Sequence, residues 1–372
     1  MRDSLRARNI FVMLTNRCNL RCSYCYEAGK NLLSADAPTI KKYVAEELQS
    51  ARFDEYFIVF HGGEPFLEFP LMKEVAEWCW QEFPSMNIRC MTTTNGTCLN
   101  AAMKAWLTEN RHRFVAILSL DGGRETHNSN RCGSFDLIDR PFFARTWPHQ
   151  PVKMTVSPDT LGSLYADFLE IRSYGLLPNP SLAKEVDWNL ENHLPVFVKQ
   201  AGMLADYYLN HPQEMPCELV NVKPSLFKQD PPLPHNRACG AGVNNIAYDI
   251  KGHPYPCHTF MTNLEQTQAP DLSALFKELE AGDGLALSPG CKGCLVYPAC
   301  EPCYGLNYSK RGSMGAFDPL MCAFTKARVQ ISARLYAEMI ASGKPYAALQ
   351  HVPESELYDM ISGIMYLEKH LK

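Results

Sequence analysis

The feature that most constrains this chain is a run of cysteines near its start, Thr15-Asn16-Arg17-Cys18-Asn19-Leu20-Arg21-Cys22-Ser23-Tyr24-Cys25-Tyr26. The spacing is Cys-x3-Cys-x2-Cys, and an aromatic, Tyr24, precedes the last cysteine. An apolar run, Ile10 to Leu14, leads into the motif and reads as a buried strand. Three thiolates on one short loop can hold three corners of a cubane 4Fe–4S cluster and leave the fourth iron without a protein ligand. A structural zinc site wants four ligands, usually as two close pairs, and here the local fourth is missing. A disulfide framework asks for an oxidising compartment, and this N-terminus offers no apolar segment with a small-residue cleavage site. Spacing, aromatic and strand context all point to the cluster.

The rest of the composition narrows the setting. A chain of 372 residues is long enough for a large core and two domains. With 36 lysines and arginines against 40 aspartates and glutamates, the net charge of −4 suggests neither a nucleic-acid nor a membrane partner. No apolar run reaches the length of a transmembrane helix, about 18 residues. Fifteen cysteines without a secretory signal argue for reduced thiols, metal binding and a reducing cytoplasm.

The first half alternates strand-like and helix-like segments. Apolar runs at Ile10–Leu14, Tyr56–Phe60, Ile88–Thr92, Phe114–Leu120 and Val152–Val156 suit parallel strands covered on both faces. Pro38 stands near the start of a helical pattern carrying Ile40, Val44, Glu47 and Leu48. Further helices are expected from about Leu71 to Phe83, Asn100 to Glu109 and Leu161 to Tyr174. Such units imply an α/β fold with a parallel sheet, and closure toward a barrel is open at this point. A boundary is expected between Pro212 and Pro234, where Asp230-Pro231-Pro232-Leu233-Pro234 cannot continue a helix. This divides the chain into 1–215 and 216–372. Eight of the fifteen cysteines lie at or after Cys217, and a last helix is expected from about Cys322 to Ile340, ending near Gly343.

Ligands of parallel α/β sheets sit at the carboxyl ends of the strands. After the second strand comes His61-Gly62-Gly63-Glu64-Pro65, where two glycines let backbone approach closely and a carboxylate can accept from an ammonium group. The third is followed by Thr92-Thr93-Thr94-Asn95-Gly96, and the fourth by Ser119-Leu120-Asp121-Gly122 with His127-Asn128 and Arg131 beyond. Taken singly, Gly-Gly and Asn-Gly mark turns, and an arginine reads as a surface residue. Cys79 and Cys90 fall within a helix and a strand pattern and read as small buried hydrophobes, and Cys98 and Cys132 as structural.

In the cysteine triad and in the order of these loops, the chain resembles the radical S-adenosylmethionine (SAM) enzymes. The resemblance implies a partial (β/α)6 barrel, with SAM bound through Tyr24, Gly62, Gly63, Glu64, Asn95, Ser119 and Arg131, and a cluster on Cys18, Cys22 and Cys25. It implies that Glu64 meets the methionyl amine, and that Ser119 and Arg131 meet the ribose and carboxylate. The C-terminal cysteines, Cys239, Cys257, Cys291-x2-Cys294-x5-Cys300-x2-Cys303 and Cys322, with the stretch Gly252-His253-Pro254-Tyr255-Pro256-Cys257, resemble the SPASM domain of peptide- and protein-modifying members. That implies two auxiliary 4Fe–4S clusters, an outer one on Cys291, Cys294, Cys300 and Cys322 and an inner one on Cys239, Cys257 and Cys303. Cys217 is the candidate fourth inner ligand, the alternative being an iron open to substrate. Only Glu301-Pro302 separates Cys300 from Cys303, where the usual pattern has three residues. For Cys291–Cys303 a zinc ribbon, and with it a zinc-stabilised binding protein, is the reading from another class.

Such relatives act on polypeptides. The resemblance implies an oxidoreductase that splits SAM to methionine and 5′-deoxyadenosine and abstracts hydrogen from a residue of a ribosomally made peptide, installing a thioether or carbon–carbon crosslink. The alternative is formylglycine formation on a sulfatase. The motif begins close to the N-terminus, which leaves no room for a leader-binding domain and favours leader recognition by a separate protein or directly. Cys217-Glu218-Leu219-Val220-Asn221-Val222-Lys223-Pro224 offers no aspartate to match the proton acceptor of sulfatase maturases, while Cys303-Tyr304-Gly305-Leu306-Asn307-Tyr308 looks more like peptide maturases. Glu218 and Asp187 read as surface charges. A flavodoxin- or ferredoxin-type reductant completes the expected partners.

Overall fold

The computed structural model describes residues 6–27, 32–228, 239–264, 271–280, 289–291 and 293–371. Residues 229–234 of the expected proline-rich boundary lie outside them. The chain opens as alternating units: β1 (Ala7–Thr15), α1 (Ala37–Gln49), β2 (Glu55–Gly62), α2 (Phe69–Glu82), β3 (Ile88–Thr94), α3 (Ala101–Glu109) and β4 (Phe114–Leu118). There follow α4 (Arg124–Asn130), α5 (Arg140–Thr146), β5 (Pro151–Val156), α6 (Leu164–Ser173), β6 (Leu177–Leu182) and α7 (Leu190–Asn210). Helix starts follow local chemistry. Asp36 accepts from Thr39 N at 3.0 Å ahead of Pro38 in α1, and Asn100 accepts from Met103 N at 3.0 Å ahead of α3.

The strands run parallel in an arc. β4, β3, β2 and β1 are neighbours in that order, and a bridge between Ser119 and Lys153 carries the arc on to the parallel pair β5–β6. The register sets Ile10 opposite Ile58 and Ile58 opposite Cys90, so the buried rows of adjacent strands line up. β6 gave no apolar run because Leu177-Pro178-Asn179-Pro180 carries two prolines, which a strand at the edge of the arc tolerates.

The C-terminal part does not stand apart. β7 (Asn245–Tyr248) pairs parallel with β1, setting Asn9 opposite Asn245, and turns into β8 (Pro254–Tyr255) as an antiparallel hairpin. Gly252 makes that turn at φ +82°, where a side chain would be strained and would press on Thr39. Tyr248 stacks on Tyr43 with ring centroids 4.1 Å apart and donates to Glu47 at 2.8 Å, pinning β7 to α1. Then come α8 (His258–Leu264), α9 (Leu272–Glu280), α10 (Tyr304–Arg311) and α11 (Pro319–Ser342). Gly343 closes α11 in the left-handed conformation at φ +63°. Phe324 of α11 lies edge-on to Trp188 and Phe197, each at 5.2 Å, so α11 is locked against α7 within the main core.

The sequence expectation of a last helix ending near Gly343 is corrected by α12 (Glu354–His370). Pro345 and Pro353 interrupt the helical pattern between them, which hid the restart. α12 rests on the short turn Pro224–Phe227, and Gly363 is the point of closest approach, since a Cβ there would collide with the Pro224 carbonyl oxygen. Changing Gly363 to Ala should therefore destabilise the fold by about 1–3 kcal/mol through overpacking. A lowered urea midpoint checks this, and an unchanged midpoint refutes it.

Candidate functional site

The three N-terminal cysteines stand on the loop that leaves β1 at the carboxyl end of the sheet. Main chain from the β2 loop holds the base of that loop: Gly63 N donates to Thr15 O at 3.0 Å and Glu64 N to Arg17 O at 2.8 Å. The contact explains both glycines, because a Cβ on Gly62 would strike Thr15 O, and one on Gly63 would strike Arg17 O and come within 2.9 Å of Cys18 Cβ. The β3 loop holds the middle. Asn95 Nδ2 donates to Asn19 Oδ1 at 2.8 Å, and Asn19 Nδ2 donates to Thr97 Oγ1 at 2.7 Å. Ser23 N, donating to Asn130 O at 3.0 Å, fixes the far end.

Glu64 is fully buried and ties these loops to each other. Its Oε1 accepts from Phe66 N at 3.1 Å and Thr94 Oγ1 at 2.8 Å, and its Oε2 accepts from Asn95 N at 2.8 Å. A carboxylate has about four acceptor positions, so one remains on Oε2. Burial pushes its pKa up, against the pull of these donors.

A second buried carboxylate, Asp121, was quoted in its motif but given no role from sequence. Its Oδ2 accepts from Tyr24 Oη at 2.5 Å, Arg131 Nε at 2.9 Å and Asn130 Nδ2 at 3.3 Å. Its Oδ1 accepts from Thr155 N at 3.0 Å. One carboxylate thus fastens the cysteine loop, α4 and β5 together. The pairing engages the Nε edge of Arg131, whose guanidinium lies 5.4 Å from the Tyr24 ring centre, and its Nη groups make no hydrogen bond to a described residue. Buried His127 completes the arrangement. Burial lowers its pKa to about 4, so Nδ1 accepts from Asp121 N at 3.3 Å while Nε2 donates to Ser134 Oγ at 3.1 Å. Ser119 is buried at the end of β4, with its N–H on Thr94 O at 2.8 Å.

The thiols gather in three sets. Cys22 is raised in pKa first by burial, with Cys25 and Cys18 among the charges acting on it. Cys257, pushed up to about 11 by burial, feels Cys303 and Cys239. Cys257 Sγ and Cys303 Sγ lie 3.0 and 3.6 Å from the same Thr259 hydroxyl. Gly305 lets α10 cross α8 at that point, since a Cβ there would press on Thr259. Cys300, pushed up to about 12 by burial, feels Cys322, Cys291 and Cys294. Among the described residues no three such side chains converge where a single ion would sit. A cubane takes one cysteine per iron and asks for grouped thiols of this kind.

Cys217, the candidate fourth inner ligand, lies apart from these sets. It is buried in the main core against Tyr208, and burial pushes its thiol up to about 11. Cys79 and Cys90 are buried in the core as expected. Cys98 is half-buried, and Cys132 is exposed with its Sγ 2.9 Å from Arg21 O.

The first and second thiol sets approach each other around Tyr26. Burial dominates the raised pKa of this phenol, and the charges of Glu27, Cys25, Cys303 and Cys257 add to it. His258 packs beside it, with ring centroids 4.7 Å from Phe11 and 4.8 Å from His61, and His61 Nε2 pairs with Glu27 Oε1 at 2.9 Å. Sequence reasoning gave these residues no part; His61 immediately before Gly62-Gly63 was the available signal.

With this geometry in place, comparison with known proteins is decisive for the N-terminal part. Residues 12–135 match the radical SAM superfamily model. The chain carries a radical SAM domain. The fold is that of the anaerobic sulfatase-maturating enzyme anSMEcpe with bound AdoMet and Cp18Cys peptide: TM-score 0.70 at 19% identity, over 91% of this chain and 100% of that one. It is also similar to Streptococcus suis SuiB bound to precursor peptide SuiA, with a TM-score of 0.56 at 16% identity over 84% of this chain and 75% of that one. At these identities the likeness is one of fold. In sequence, the antilisterial bacteriocin subtilosin biosynthesis protein AlbA of Bacillus subtilis is 25% identical over 268 residues, 66% of this chain and 54% of AlbA. The first curated relatives are matched over about a third of their own length, 32% and 31%.

Two outcomes check the site. Asp121→Asn leaves Arg131 without its buried counter-charge and should cost about 3–5 kcal/mol of stability, read from a denaturant midpoint. Cys217→Ala should leave the iron content of the reconstituted protein unchanged, whereas Cys257→Ala should lower it by up to about four irons per chain. Iron loss in Cys217→Ala would return that residue to the ligand set.

Proposed function

We propose that this radical SAM protein is a maturase of a ribosomally made peptide, abstracting hydrogen from one residue to install a thioether or carbon–carbon crosslink. Cys18, Cys22 and Cys25 would hold the SAM-binding cluster, Cys239, Cys257 and Cys303 the inner auxiliary cluster, and Cys291, Cys294, Cys300 and Cys322 the outer one. When bound, the first cluster supplies one electron that splits SAM into methionine and a 5′-deoxyadenosyl radical able to take hydrogen from an unactivated carbon. The protein's share is position and exclusion of water. In this reading the remaining acceptor site of Glu64 takes the methionyl amine, and the free Nη face of Arg131, held by Asp121, meets the carboxylate. Tyr24, Gly62, Gly63, Asn95 and Ser119 shape the surrounding wall.

The observation that carries the reading is that charges of both thiol fields, Cys25 of the first and Cys303 and Cys257 of the second, act on the one phenol of Tyr26. Cys257 and Cys303 would hold a cluster able to supply electron-transfer chemistry near the SAM-binding loop. Two structural neighbours, anSMEcpe with bound Cp18Cys peptide and SuiB bound to precursor peptide SuiA, support a polypeptide substrate. Sulfatase maturation is the second reading, favoured by the fold match over the whole of anSMEcpe. A flavodoxin- or ferredoxin-type donor, a separate leader-binding protein and a reducing cytoplasm belong to the same proposal. Among the described residues, no helix is long and apolar enough to cross a membrane.

Anaerobically reconstituted protein should hold on the order of twelve irons, and with SAM and reductant it should form 5′-deoxyadenosine. Cys22→Ala should abolish that product. Coexpression with a short precursor from a neighbouring reading frame should show a mass loss of two hydrogens per crosslink. An unmodified precursor beside a formylglycine-bearing sulfatase would reverse the choice.

A further inference from the structure

Helix α12 has two apolar faces, and the fold uses one of them. Met360, Gly363, Ile364 and Leu367 are buried where α12 lies on the Pro224–Phe227 turn and on α11. On the opposite side Tyr358, Ile361 and Met365 are 63%, 36% and 64% exposed. Steps of three and four residues set them in one row, about 10 Å long at about 1.5 Å per residue. On the other described α-helices, large apolar side chains exposed to this degree stand singly, Leu169 on α6 and Val198 on α7. Single ones are ordinary on any protein surface, whereas a row on one helix marks a contact surface.

The two ends of the row carry opposite charge. Glu354 stands in the first turn of α12, and Lys369 in the last with His370 beside it. Both Glu354 and Lys369 are exposed, and each lies one helical turn beyond the row, Glu354 before Tyr358 and Lys369 after Met365. Tyr358 Oη donates to Glu354 Oε1 at 3.4 Å, which leaves Oε2 for another donor. The remaining acidic groups of this half of the helix are engaged within the chain, Glu356 with Lys223 at 3.2 Å and Asp359 with Lys228 at 2.6 Å. Ile361 and the small, exposed Ser362 stand at the middle of the 354–370 span, where a neighbouring helix can come close.

A second copy, related by a two-fold axis near Ile361, meets all of these features in register. With the two helices antiparallel, apolar row lies on apolar row and each acidic end lies by the other's basic end. The opposed helix dipoles add to the match. A parallel pair would set Glu354 against Glu354 and Lys369 against Lys369. We propose that α12 is a dimerisation helix: two copies of this chain associate by antiparallel packing of the Tyr358, Ile361 and Met365 rows, with Glu354 of each copy paired to Lys369 of the other. One helix on one helix covers less area than a permanent interface, so the association is concentration-dependent.

Analytical ultracentrifugation of the anaerobically reconstituted full chain, over about a hundredfold range of concentration, tests this. The weight-average mass should rise from one chain toward two. Ile361→Glu and Met365→Glu should each raise the dimer dissociation constant by about tenfold or more, because each buries an unpaired charge in the contact. Both positions face solvent in the single chain, so the urea midpoint should hold. Glu354→Lys should weaken the dimer by about fivefold, and the exchange Glu354→Lys with Lys369→Glu should restore it. A mass that stays at one chain throughout overturns the proposal and leaves the row to a different partner. A dimer that Ile361→Glu and Met365→Glu leave intact overturns it by placing the contact elsewhere. Failure of the exchange to restore the dimer overturns the antiparallel pairing.

Discussion

The buried Asp121 carboxylate is the constraint on which the site depends. It takes a phenol from the cysteine loop, a guanidinium and an amide from α4, and a main-chain N–H from β5. A buried charge without partners would be expensive, and here the partners come from three different elements of the site. The ion pair with Arg131 is thus less a source of stability than a specification of geometry. It keeps Tyr24 against the guanidinium and leaves the other edge of Arg131 free. Glu64 repeats the device on the opposite side of the cysteine loop.

Most of the barrel was legible because its strands carry apolar runs and because α1 and α3 are capped by side chains that announce them. Asp36 with Pro38, and Asn100, mark their starts unambiguously. What failed to show was whatever tertiary contact alone stabilises. β6 is built on two prolines, and α7 carries Pro195 inside it. α12 follows a proline-broken stretch and exists because it can lie on Pro224–Phe227. Each is held by packing that no local pattern records.

The site was legible as a set of loops and illegible as a network. Spacing gathered Cys18, Cys22 and Cys25, and strand order singled out Glu64, Asn95, Ser119 and Arg131. Spacing could not say that Gly62 and Gly63 are needed for the close approach of the cysteine loop itself. Nor could it separate Cys217, which is set in a core beside Tyr208, from thiols that face one another.

The pairing of β7 with β1 reaches across 236 residues, from Asn9 to Asn245. The strand that carries the cysteine loop therefore has one of its two neighbours missing until most of the chain has been synthesised. At about 5–20 residues per second, the ribosome needs roughly 12–47 s to deliver that neighbour. Through that interval β1 is bordered by β2 alone, and the loop's thiols sit on a half-bordered strand.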